Sequence, residues 1–109
     1  MNERVTTGIW IVSANDDAFI AAWSRFAGWA SASDGAGTLR LARDAADPQR
    51  YVSYAAWESA EAVQAWKADP EFKERLAAVL QHVEEFHSTE LDVVASGSHA
   101  RSVPVDVNQ

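Results

Sequence analysis

One short segment of the chain carries aromatic and hydroxyl side chains at a spacing that could hold a small molecule. Tyr51, Ser53, Ala55 and Trp57 alternate along a predicted strand, so their side chains share one face. A hydroxyl between aromatic rings could anchor a substrate oxygen or a water molecule, and the rings could form the wall of an apolar pocket. The same row could equally fill a hydrophobic core, because buried tryptophan is common there.

Other aromatic residues could join this row to line a pocket. Trp66 lies on a short predicted helix, Phe72 on the helix after it and Trp23 on the first helix. Trp10 lies on the first strand, where alternation alone does not say which face meets the helices. We predict Trp57 and Ser53 as catalytic residues, and as substrate-binding residues Tyr51, Trp66, Trp10, Phe72 and Trp23.

Neither a nucleophilic serine nor a metal site is predicted. Ser53 has no histidine or carboxylate at a spacing that would activate it. His82, with Glu85 three residues away, offers only two ligands, and His87 and His99 lie apart from them, which is a weak metal signature. The chain has no cysteine, which excludes disulfides and thiolate ligands. We therefore predict that no metal is bound.

Composition argues against several classes of partner. The 109 residues include 16 acidic and 9 basic side chains, which give a formal net charge of −7. No run of Lys or Arg supplies a surface for nucleic-acid phosphates. The first residues lack the apolar core of a signal peptide, and no apolar run approaches the length of a membrane span. We predict a cytoplasmic protein that binds neither nucleic acid nor membrane.

Apolar patterning predicts strands and helices in the order β-α-β-β-α-β. The proline signal at 69–71 divides the second helical region in two. The predicted elements are a strand at 5–12, a helix ending near 32, strands at 38–43 and 50–57, helices starting at 59 and 70, and a strand at 91–96. This order predicts an α+β, ferredoxin-like fold over residues 1–97, with helices on one face of a four-stranded antiparallel sheet. Residues 98–109 are predicted to be a tail, either flexible or packed on a dimer partner.

The apolar residues on the second face of the predicted sheet indicate that this face is covered by a protein partner. Val52, Tyr54 and Ala56 point away from the row at Tyr51 to Trp57, and they are largely apolar. An open sheet with two semi-apolar faces is expected to bury the second face, and another copy of the chain is the simplest cover. We predict a homodimer with its sheets packed face to face.

Two sequence motifs resemble one protein family. The strand end YAAW at 54–57 with the following ES, and the segment WKADPEFK at 66–73, are similar to the antibiotic biosynthesis monooxygenase family. The resemblance covers roughly residues 5–96 and implies a dimeric α/β barrel built on the ferredoxin-like plan. Quinone-forming members of that family oxidise polyketide anthrones with molecular oxygen, without metal or flavin, because the substrate anion itself reduces oxygen. The resemblance implies a cofactor-independent monooxygenase that acts on a small aromatic or polyketide-like substrate.

The chain matches the quinone-forming members only in part. Trp57 stands where they carry a tryptophan, but Ser53 stands where they carry an asparagine. Val63 replaces a helix tyrosine, and the arginine of the second helix has no match in register, with Arg75 one position away.

Haem-degrading members of the family provide a second comparison. Trp66 matches their tryptophan, but Leu76 stands at the position of their haem-ligating histidine, and a leucine cannot ligate iron. Haem degradation is therefore disfavoured. The alternative to an oxygenase is a non-catalytic dimeric domain that binds a small molecule or serves a stress response.

Overall fold

The computed structural model describes residues 3–13 and 15–97, so the predicted tail at 98–109 lies outside the described residues. The described part forms β1 Arg4–Ile11, α1 Asp16–Ala30, β2 Ala36–Arg43, β3 Arg50–Trp57, α2 Ala60–Ala68, α3 Glu71–Leu80 and β4 Glu85–Asp92. All strand pairs are antiparallel, and the sheet order is β2-β3-β1-β4. The predicted ferredoxin-like α+β fold is confirmed, as an open sheet within one chain.

The division between α2 and α3 follows from side-chain caps at their first turns. The Ser59 hydroxyl accepts a hydrogen bond from the backbone N–H of Ala62 at 3.1 Å, which satisfies a free donor at the start of α2. Asp69 is extended and its carboxylate accepts from the N–H of Glu71 at 2.8 Å. Pro70 lies between them, where its missing N–H costs nothing. The predicted helix break is confirmed.

The prediction for the last strand was wrong. α3 ends at Leu80, and β4 occupies Glu85–Asp92 rather than 91–96. Phe86, which continued the apolar stripe of the helix in sequence, instead stacks on Trp10 with ring centroids 4.2 Å apart. His87, the next residue, pairs with Ile9 in the sheet. Pairing with a strand that is distant in sequence overrides the local helical spacing.

Strand alternation separates a buried face from an open one. Tyr51 is 2% exposed beneath the helices, whereas Tyr54 is 44% exposed on the other side. Trp10 pairs directly with Tyr51 and is also 2% exposed, which assigns it to the helix side. Within the described ranges, no helix is long and apolar enough to cross a membrane.

Candidate active site

A cavity of about 210 Å³ lies between the centre of the sheet and the helices. Small residues of the three strands β1, β3 and β4 form its floor, and aromatic and aliphatic side chains of α1, α2 and α3 form the opposite wall. The floor comprises Thr6, Gly8, Ser53, Ala55 and Ser88, and the wall comprises Trp23, Phe26, Trp66, Phe72 and Leu76. Large rings at the end of the floor, including the stacked pair of Trp10 and Phe86, hold the helices away from the small residues.

The structure brings five of the seven predicted site residues to this cavity. The five that line it are Ser53, Trp66, Trp10, Phe72 and Trp23. Trp57 is not among the lining residues. It is 2% exposed and stacks against Trp66 with ring centroids 4.6 Å apart. Trp57 therefore supports the cavity from behind one of its walls.

Tyr51 also lies away from the cavity, at a shallow depression between α1 and β2. Its hydroxyl accepts a hydrogen bond from Nη2 of Arg43 at 2.8 Å and donates to a carboxylate oxygen of Asp16 at 3.2 Å. The hydrogen bond with Tyr51 raises the pKa of the Arg43 guanidinium above its usual value. These contacts tie the start of α1 to the sheet, and they already occupy the Tyr51 hydroxyl.

Two hydroxyls on the cavity floor each accept a hydrogen bond from a tryptophan. Nε1 of Trp10 donates to Oγ of Ser53 at 2.9 Å, and Nε1 of Trp57 donates to Oγ1 of Thr6 at 3.0 Å. Thr6 was not predicted as a site residue. The signal that could have found it is its alternation with Trp10 along β1, once Trp10 is known to face the helices.

Gly8 makes the bond between Trp10 and Ser53 possible. A Cβ atom at this glycine would lie 2.8 Å from Nε1 of Trp10 and 2.9 Å from Oγ of Ser53. Real Cβ atoms do not approach other atoms so closely, so any larger residue would displace the indole or the hydroxyl. The absence of a side chain lets the indole of Trp10 lie across β1 and reach the neighbouring strand.

Trp66 contributes a polar group that is buried without a partner. Its Nε1 is shielded from solvent and has no hydrogen-bond acceptor among the described residues. Its ring is held between Trp57 and Phe72, whose centroid lies 4.8 Å away in an edge-on arrangement. A buried N–H without an acceptor costs free energy, so a small shift of the ring toward an acceptor on a ligand would be favourable.

Ionisable groups are scarce around the cavity. Lys67 is the charged residue among those that line it, and its amine lies 3.6 Å from a carboxylate oxygen of Glu90. Another oxygen of Glu90 contacts Arg4 at 2.7 Å. Within the described part of the chain, no three His, Asp or Glu side chains gather as a metal site would require. The cavity is thus an apolar, aromatic space with hydroxyl groups on its floor.

Solved structures with the same architecture include a characterised oxygenase. An asparagine-to-alanine variant of SnoaB, a cofactor-independent oxygenase from Streptomyces nogalater, has a TM-score of 0.82 and 18% identity, covering 88% of this chain and 97% of that one. A candidate antibiotic biosynthesis monooxygenase from Deinococcus radiodurans has a TM-score of 0.76 and 16% identity, covering 89% and 98%. At these identities the likeness shows the fold. No curated protein matched the chain.

A family model provides the assignment at the level of sequence. The model for antibiotic biosynthesis monooxygenase matches residues 4–78, which is more than half of the chain. The matched range includes both motifs on which the resemblance was based, and it spans β1 to most of α3. The resemblance is confirmed: this chain belongs to the antibiotic biosynthesis monooxygenase family.

Proposed function

We propose that the protein is a cofactor-independent monooxygenase that oxidises a small hydroxylated aromatic compound with molecular oxygen. The observation that carries this proposal is the aromatic cavity whose floor presents the Ser53 and Thr6 hydroxyls. Family membership supports the class of reaction, as does the fold shared with SnoaB, which is named a cofactor-independent oxygenase.

The proposed reaction balances without an external reductant. A hydroxyarene such as a naphthol loses its proton, and the resulting anion carries negative charge onto a ring carbon. This carbon adds molecular oxygen to form a peroxide anion, which takes up a proton. Loss of water from the hydroperoxide then leaves a second carbonyl, so that naphthol and O2 give naphthoquinone and H2O. The substrate supplies all four electrons that reduce oxygen.

The protein would contribute mainly by stabilising the substrate anion. Hydrogen bonds to an oxyanion are strong in a cavity from which water is excluded, because the local dielectric constant is low. Lys67 is the charged residue among those that line the cavity, and its amine, which lies 3.6 Å from a Glu90 carboxylate oxygen, would also favour an anion. Binding of the anion, rather than proton removal by a histidine or carboxylate in the lining, is the contribution that this arrangement supports.

The volume of the cavity favours a compact substrate. An engineered protein cavity of about 150 Å³ holds one benzene molecule. The cavity in this protein, at about 210 Å³, exceeds the volume of that benzene-binding cavity by less than half. A substrate with one or two rings would fit within it, whereas a polyketide with three or four rings would extend beyond it. We therefore propose hydroquinones and naphthols ahead of anthrones.

We also propose that the protein acts in the cytoplasm as a homodimer. Apolar side chains remain uncovered on the open face of the sheet: Tyr54 is 44% exposed and Leu91 is 48% exposed, and Ile9 and Val52 on the same face are half-buried. A second copy packed on this face would remove them from water. Size-exclusion chromatography with light scattering tests this assembly, and a monomer at high concentration would contradict it.

Oxygen consumption tests the oxygenase proposal directly. The substrates would be a panel of hydroquinones, naphthols and anthrones, with Trp29→Phe as the control variant because Trp29 lies outside the cavity. We expect turnover above the spontaneous rate for compounds of one or two rings, with one H2O formed per O2 consumed. Absence of turnover across the panel would contradict the proposal.

A non-catalytic binding domain is the second candidate, and the lack of a histidine or carboxylate in the cavity lining favours it. Tight binding of the same compounds without oxygen uptake would support this alternative. Leu76 lines the cavity at the position where haem-degrading members carry their iron ligand, so we propose no role for haem. Titration with haemin would test this, and a sharpened Soret band would contradict it.

A further inference from the structure

We infer that Trp10 and Trp57 are positioning residues that present two floor hydroxyls as hydrogen-bond donors to an oxyanion of the ligand. The hydroxyls are those of Ser53 and Thr6. The inference rests on the proposed function for the identity of the ligand as an ionised hydroxyarene. Binding can be measured without turnover, so the two proposals can fail separately.

The chemistry of the tryptophan partner decides whether each hydroxyl donates or accepts in the hydrogen bond between them. An indole N–H can only donate, so the hydroxyl oxygen that it contacts must accept. Oγ of Ser53 and Oγ1 of Thr6 each accept in this way, and neither makes another side-chain hydrogen bond among the described residues. Each hydroxyl proton is therefore available, and a ligand atom beside it gains most by being an acceptor.

The strand register brings the two hydroxyls together. Gly8 pairs with Ser53 and Thr6 pairs with Ala55, so Thr6 and Ser53 are diagonal neighbours on the same face of adjacent strands. Diagonal neighbours of an antiparallel pair lie about 7–8 Å apart, within reach of one bound aromatic molecule. Both residues line the same cavity.

The indoles also strengthen the hydroxyls as donors. In a chain of hydrogen bonds, each bond polarises the next, and the effect is greatest where water is excluded. Ser53 is 8% exposed and both tryptophans are 2% exposed, so the bond between Trp10 and Ser53 lies in a dry region, whereas Thr6 is half-buried and its bond with Trp57 is partly shielded from water. Trp57 occupies the position of the tryptophan in quinone-forming relatives, but here its N–H reaches the ligand only through Thr6. Replacing either indole should weaken binding of the anion more than binding of the neutral compound.

The experiment uses 2-naphthol under anaerobic conditions, with the absorbance of naphtholate as the readout across a pH series. We expect the ionisation midpoint of bound naphthol to lie about one to two pH units below that in water. Ser53→Ala and Thr6→Val should each weaken naphtholate binding by roughly 10- to 100-fold. Trp10→Phe and Trp57→Phe should each weaken it by roughly three- to ten-fold, and Trp29→Phe should leave it unchanged.

Double variants separate positioning from packing. When Ser53 is already alanine, Trp10→Phe should weaken naphtholate binding by less than about twofold further. When Thr6 is valine, Trp10→Phe should weaken naphtholate binding by its full amount. Trp57→Phe should show the reverse dependence. If Trp10→Phe costs the same affinity in both backgrounds, the indole acts by packing and the inference is overturned.

NMR of the indole protons provides a second measurement if a tryptophan variant does not fold. In the parent protein, the N–H signals of Trp10 and Trp57 should move when naphtholate binds, and that of Trp29 should not. Unmoved signals at saturation would overturn the inference. If the effect of each tryptophan variant depends on its partner hydroxyl but no oxygen is consumed, the oxygenase proposal alone is refuted. If oxygen is consumed but the effects of the tryptophan and hydroxyl variants are independent, the inference alone is refuted.

Discussion

Gly8→Ala is a sharp test of how the cavity floor is built. The added methyl group would lie 2.8 Å from Nε1 of Trp10 and 2.9 Å from Oγ of Ser53. Overpacking of this kind costs about 1–3 kcal/mol, and loss of the hydrogen bond between indole and hydroxyl costs about 0.5–1.5 kcal/mol. Alanine also restricts the unfolded chain, which stabilises the fold by about 0.4–1 kcal/mol. The sum is a destabilisation of about 2 kcal/mol.

Urea unfolding followed by tryptophan fluorescence would measure this change. For a domain of this size, a loss of about 2 kcal/mol corresponds to a fall in Tm of about 8–16 °C. Gly28→Ala is the matched control, because a Cβ at Gly28 in α1 would meet nothing within 4 Å. Alanine should stabilise that helix by about 0.5–1 kcal/mol, so the two variants should change stability in opposite directions. A Gly8→Ala protein as stable as the parent would refute the reasoning about the floor.

Three further predictions concern the open face, a helix cap and an acidic turn. Val52→Glu would place a carboxylate in the proposed dimer interface, and should give a folded monomer by light scattering; a persistent dimer would contradict face-to-face packing. Ser59→Ala removes the cap of α2 and should lower the free energy of unfolding by about 1 kcal/mol in a urea titration. Hydrogen bonds from the backbone of Ala46 and from the Arg50 side chain lower the pKa of Asp44. That stabilisation is present above the unfolded-state pKa, about 3.9, and is lost as the pH falls through the lower folded value. Asp44→Ala should therefore destabilise the protein at pH 7 and progressively less below about pH 4. If the difference in free energy of unfolding between the variant and the parent does not change with pH, the charge of the Asp44 carboxylate does not contribute to stability.

Elements with a local signal could be predicted from the sequence. The row from Tyr51 to Trp57 alternates as a strand must, and the break before Glu71 is encoded by a cap and a proline. The end of α3 has no such signal, because Gln81 follows Leu80 without a glycine or proline. The pairing of β4 with β1 and the contact of Phe86 with Trp10 show that the chain has already turned into β4, and both depend on residues that are distant in sequence.

The sequence could predict which side chains share the face of the strand that carries the candidate site, but not which of them line the cavity. Alternation placed Ser53 and Trp57 on one shared face of the strand, which the structure shows to be the face beneath the helices, but it could not show that a helix ring would cover Trp57. Thr6 was missed because a β-branched residue in a strand is unremarkable. Its role as acceptor depends on how far the Trp57 indole extends between strands, which is a property of the folded sheet.

The position of β4 in the sheet has a consequence for how the chain acquires its structure. β1 lies at the centre of the sheet, with β3 on one side and β4 on the other, and it pairs with β4 across roughly 80 residues of intervening chain. During synthesis, one edge of β1 stays open until the residues of β4 have emerged, and such long-range pairing is intrinsically slow. An open central strand is a template for association with other chains. A fragment confined to residues 4–78 would keep this edge exposed and would lack Phe86, so expression of the protein should include β4.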